Sequence, residues 1–139
     1  MSLERYIKAQ APIYARALAE LKAGRKQSHW MWYVFPQMAG LGHSTTSHTY
    51  GIESLKEARE YLAHPVLGAR LRECCQAVMN IRGKSAEDIF GAIDAMKFRS
   101  CLTLFAEVDH GEVLFFNLLE THFDGEADEA TLEVLSDLE

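Results

Sequence analysis

The chain has 139 residues, 48% hydrophobic and 24% charged, with a formal net charge of −6. That length supports one hydrophobic core rather than two, and the apolar content excludes a chain disordered throughout. No segment nears the roughly 20 apolar residues that span a bilayer, and no apolar signal run follows Met1–Arg5. A cytoplasmic protein with no membrane partner is therefore expected.

The first helical pattern runs from Leu3 to about Gln10 and restarts at Pro12, since proline suits a first helical turn. Ile13, Ala17, Leu18 and Leu21 then share one helical face, and Gly24 is a natural stop. The ring-rich stretch Ser28–Gln37 (SHWMWYVFPQ) follows. It is predicted to hold a short helix, with Ser28 as cap and Pro36 forcing Phe35 out of helical dihedrals. Met38–Ile52 carries three glycines and five Ser/Thr residues with no apolar period, which predicts a long ordered loop.

Beyond it, Ser54 and Glu57 have capping-box spacing ahead of Leu55, Ala58, Tyr61 and Leu62. His64–Pro65 breaks that helix and opens another, whose stripe of Leu67, Leu71, Cys74, Cys75, Val78 and Met79 extends to about Ile81. Ser85 opens a short helix closed by Gly91. Asp94 is predicted to cap a core helix from Ala95 to Val108, a further helix ends near Phe123 and Gly125, and Asp128 caps the last. No β-alternation is sustained and no repeat or linker interrupts the chain. The prediction is an all-α, single compact multihelical domain over residues 1–139, with about seven to nine helices and little or no sheet.

Charge is unevenly spread. Residues 1–50 hold six Lys/Arg against two acids, and residues 101–139 hold eleven acids and no Lys or Arg. An acidic solvated end explains this as well as a dipolar molecule that draws an anion to its basic half. Generic DNA binding is disfavoured, because so acidic an end repels phosphates. Cys74, Cys75 and Cys101 are odd in number and lack C-x-x-C spacing, as buried free thiols in a reducing compartment would.

Chemistry concentrates between Lys22 and Ile52. His29, Trp30, Trp32, Tyr33 and Phe35 place five rings within seven residues. Three readings fit: a core plug, an aromatic wall that stacks a flat ligand, and a partner-binding patch. Arg25 and Lys26 lie before these rings, with Ser44 and Tyr50 behind them. Gly40 and Gly42 are able to turn backbone N–H groups toward an anion. Lys97, on the later core helix with Asp94, is a further cation for such a group, although an Asp94–Lys97 pair at a helix start also has a purely structural reading. No complete phosphate-loop or nucleophile-elbow motif occurs, and His43 and His48 do not have metal-ligand spacing, so neither a metal nor a cofactor is expected. The expected ligand is a small anionic, ring-containing, nucleotide-like metabolite. Trp30 and Trp32 would stack it, Arg25, Lys26 and Lys97 would meet its charge, and His29, Ser44 and Tyr50 would orient it. Hydrolysis of an N-glycosidic or phosphate bond, with His29 or Asp94 moving the proton, is the reaction such a site would support. A protein-interaction module using exposed aromatics and the acidic C-terminal third is the alternative.

Several segments together resemble one known family. They are Ala9–Gly42, Tyr50-Gly51-Ile52, Glu57–Glu73, Ile89-Phe90-Gly91, the Asp94–Phe105 helix, and Phe123-Asp124-Gly125 with Asp128 and Thr131-Leu132. The chain resembles the bacterial and fungal family catalogued as domain of unknown function 1810. The resemblance covers nearly the whole chain and implies an all-helical fold with no assigned activity or catalytic residues. The protease-inhibitor label (calpastatin) attached to some members suits long, disordered, repetitive chains, and this chain is none of these.

Overall fold

The computed structural model describes residues 2–42 and 44–138, so His43 lies outside the described residues. The chain is all-α. Ten helices are present among the described residues: α1 Glu4–Gln10, α2 Tyr14–Lys22, α3 Met31–Val34, α4 Thr45–Tyr50, α5 Leu55–Ala63, α6 Leu67–Met79, α7 Ala86–Phe90, α8 Ala92–Val108, α9 Val113–Phe123 and α10 Glu129–Leu138. None is long and apolar enough to cross a membrane.

Helix α8 is the axis of the fold. Phe98, Cys101, Leu102, Leu104, Phe105 and Ala106 are all buried along it, so it lacks a wide polar face and needs neighbours on several sides. Those neighbours are α5, α7, α9 and α10, while α2 packs on α6 and α1 on α3. Phe35, Phe90 and Phe98 meet near its start, with the Phe35–Phe98 centroids 4.9 Å apart and the rings edge to face, an arrangement that suits their quadrupoles. Cys74, Cys75 and Cys101 are buried and unpaired, and burial pushes each thiol upward. They act as small core hydrophobes.

The helix ends follow local chemistry. Ser54 Oγ accepts the Glu57 N–H, but Glu57 does not return the bond as a capping box would: its carboxylate accepts the Glu53 N–H and pairs with Arg5. Ser85 and Asp88 form a complete capping box on α7. Asp128 Oδ2 accepts from Thr131 N–H at the start of α10, and His64 Nδ1 accepts the Val66 and Leu67 N–H groups ahead of α6.

Three sequence expectations are corrected. Met38–Ile52 is not a continuous loop, because Ser44 Oγ accepts the Ser47 N–H and caps α4. That helix is short and polar, so it has no apolar period to detect. Ser28 does not cap α3, which starts after Trp30 without a side-chain cap. Asp94 does not cap α8 either. Gly91, at φ +82°, ends α7 and opens α8 in one residue, which leaves Asp94 inside the first turn.

The ends of the 38–52 segment are tied by an isolated bridge between Met38 and Ile52. A Cβ on Gly51 would stand 2.7 Å from the Ala39 Cα, so only glycine allows that approach. Arg5 braces the same place: its guanidinium donates to Thr49 O at 2.9 Å, Gly51 O at 3.1 Å and Glu57 Oε1 at 3.2 Å. An Arg5→Ala variant is expected to lose about 2 kcal/mol. Amide exchange should accelerate first in Thr45–Tyr50, and uniform acceleration across the chain would contradict this local role.

Candidate functional site

The ring-rich segment is held from below by Glu20, a residue the sequence reading passed over. Its carboxylate accepts Gln27 N–H at 2.8 Å, Ser28 N–H at 3.1 Å, Ser28 Oγ–H at 2.6 Å and the Trp30 indole Nε1–H at 2.9 Å. Burial raises this carboxyl, but the bonds from Ser28, Gln27 and Trp30 outweigh it and hold the group at about 2. A signal was present: Glu20 lies three residues after Ala17 and directly before Leu21, and all three are buried. An acid at a core-facing position of a short helix needs donors, and the next segment supplies them.

Above this anchor, α3, α4 and the start of α8 enclose a cavity of ≈ 380 Å³ lined by Lys26, His29, Trp32, Tyr33, Tyr50, Asp94 and Lys97, with Trp30 and Met31 behind them and Thr46 on α4. Asp94 is its electrostatic centre. Lys26 Nζ lies 2.8 Å from Oδ2 and Lys97 Nζ 3.2 Å from Oδ1. Burial pushes the Asp94 carboxyl up, but hydrogen bonds and charge from Lys26 and then Lys97 more than reverse this and leave it below its ordinary value. Asp94 is therefore an ionised carboxylate at neutral pH.

The two ammonium groups differ in what they have left to give. Lys26, with its side chain 7% exposed, also donates to Ser28 O at 2.6 Å and sits 5.0 Å from the Trp30 ring centre. Lys97 is 23% exposed, and among the described residues it hydrogen bonds only to Asp94, with its ammonium 4.3 Å over the Trp32 ring. An ammonium has three donors, so Lys97 keeps more capacity for a ligand.

Of the residues selected from the sequence, His29, Lys26, Trp30, Trp32, Tyr50, Asp94 and Lys97 border this cavity. Trp30 is 1% exposed with its N–H spent on Glu20, so its ring is core and offers no stacking face. Trp32 is half-buried, with the Lys97 ammonium over its ring. Tyr33, unselected, joins it: its hydroxyl donates to His29 O at 3.0 Å and its ring meets Tyr50 at 5.2 Å. Arg25 is exposed outside the cavity, and Ser44 lines the neighbouring one. A Cβ on Gly42 would lie 2.9 Å from the Ser47 side chain and 3.1 Å from the Trp32 ring, so its smallness lets α4 and that indole pack closely.

A larger cavity of ≈ 520 Å³ lies at the C-terminal ends of α2 and α6, among Lys22, Arg82 and Lys84. Lys84 donates to Gly24 O there. Cations at helix C-termini complement the carbonyl dipoles, and no aromatic ring lines that space. Size alone does not make it the better candidate.

Fold and site together define a small all-helical protein with one carboxylate clasped by two lysines beside a half-buried indole. The chain belongs to the family described as "Protein of unknown function (DUF1810)", whose profile matches residues 1–135. It is similar to the crystal structure of the conserved hypothetical protein Rv1873 from Mycobacterium tuberculosis, with 46% identity, 96% of each chain covered and a TM-score of 0.95. No curated protein matches it.

Proposed function

We propose that the cavity between α3, α4 and α8 binds a small anionic metabolite with a flat ring, of the nucleotide-like class. The observation that carries this reading is the placement of Lys97 over Trp32, with Asp94 holding the ammonium from the other side. An ordinary surface lysine swings freely; this one is fixed where a ring on Trp32 would bring its own anionic group within reach. Tyr33 and Tyr50 give the ring a second wall, and the volume lies within the usual range for small-ligand sites. For hydrolysis, the roles divide. Asp94 is already deprotonated and committed to two lysines, so it holds the cations in place, and His29 at the cavity mouth is the group available to carry a proton.

Because Trp30 is sealed and Trp32 is only half-buried, the ligand should be reported by one indole only. Titration with a panel of nucleoside monophosphates, adenosine 5′-monophosphate included, is expected to shift tryptophan fluorescence and raise the melting temperature. Trp32→Leu should abolish the fluorescence response while the variant remains folded by circular dichroism. A panel in which no nucleotide moves either signal would overturn the reading. The interaction-module alternative rests on exposed aromatics and the acidic C-terminal third, yet among the described residues the exposed large apolar side chains other than Phe116 are aliphatic: Val66, Ile93, Met96, Val113, Leu132 and Leu138.

A further inference from the structure

A second cavity of ≈ 420 Å³ lies beyond Lys97, and Trp32 and Lys97 line both. The two residues therefore stand at a junction, with the least-committed ammonium of the site between two spaces. The far side is formed by Leu41, Ile93 and Met96, and the Asp128 carboxylate, which accepts from Ser100 and Thr131, also lines this space. Ile93 is 74% exposed and Met96 69% exposed, although both lie in the first turns of the most buried helix of the fold. An apolar shelf left uncovered beside a fixed cation is the surface an amphipathic ligand would cover.

We infer, building on the ligand-binding reading above, that the ligand is a singly charged diester whose anionic group lies at Lys97, with its ring on Trp32 and a second, apolar group on Ile93 and Met96. Charge supports the diester. Lys26 and Lys97 against Asp94 leave one net positive charge in the cluster. A phosphate monoester carries about −1.5 to −2 at neutral pH and would be under-neutralised, whereas a diester carries a single charge. Position supports it too: a monoester would end at Lys97, and a diester continues past it into the second space.

The test compares adenosine 5′-monophosphate with its phosphate benzyl ester by isothermal titration calorimetry. The ester is expected to bind roughly ten- to thirtyfold more tightly to the native chain, as its seven added carbon atoms settle on the shelf. In the Ile93→Ser/Met96→Ser double variant the ester should lose most of its advantage over the monoester, and Lys97→Met should weaken both probes. A monoester that binds while the ester binds no better overturns the second group and leaves the ligand-binding reading standing. An advantage that is undiminished in the double variant also overturns it. If neither probe binds, both readings fall.

Discussion

Glu20→Ala is expected to destabilise the folded chain by about 4 kcal/mol, with a fall in melting temperature on the order of 10 °C. The substitution removes the acceptor for two backbone N–H groups, one hydroxyl and the Trp30 indole at once. Trp30 is 1% exposed, so its N–H has no water to turn to and bears the full cost of an unmade bond. The damage should spread along the chain. Ser28–Trp30 leads into α3, and α3 forms the wall that carries Trp32. A melting temperature within about 2 °C of the native value would show that the four bonds do not hold the segment.

The same carboxylate makes an acid-stability prediction whose sign is fixed. In the folded chain Glu20 lies at about 2, against an ordinary 4.5. Between those values the unfolded chain binds more protons, so stability rises with pH across the window. The contribution is fully present above the unfolded value and drains as pH falls through the folded one. Glu20→Gln lacks this titration. The melting-temperature gap between native chain and variant should hold at neutral pH and narrow from about pH 5 down to pH 2. A gap that stays constant would mean the group titrates normally.

How far the sequence reveals this molecule depends on which forces set each part. The long helices were legible because burial imposes a period on them: the face Ile13–Ala17–Leu21 and the α6 and α8 stripes are direct consequences of packing. Helix α4 was not legible, because TTSHTY is held by a serine cap and by Arg5 from 44 residues away, and neither leaves a period. The candidate site was legible in composition but not in assignment. Rings, cations and Asp94 stand out as residue types, yet nothing local tells Trp30 from Trp32. Their fates are decided by Glu20, ten residues before Trp30 in the chain, and by Lys97, brought to Trp32 by α8. Asp94 shows the same limit. Its sequence position reads as a helix cap, and only the positive φ of Gly91 moves the helix start upstream and frees the carboxylate for Lys26.

Asp94→Asn is the second large effect, and its value is that stability and binding should respond in opposite directions. In the native chain Asp94 separates two ammonium groups and lets Lys26 remain 7% exposed. Without its charge the two lysines repel across a partly desolvated space, and the buried member loses its counter-ion, a change worth about 3 kcal/mol. The cluster then carries two positive charges where it carried one. Any small anion that reaches it binds more strongly than before, and an anion that binds the folded state raises its stability by mass action. Replacing chloride with phosphate at equal ionic strength should therefore restore part of the lost melting temperature in Asp94→Asn while changing the native chain much less. Adding Lys97→Met to the variant should remove both the repulsion and the phosphate response. If phosphate stabilises native and variant chains equally, the lysines do not face a common anion space, and the cavity between α3, α4 and α8 is not an anion site.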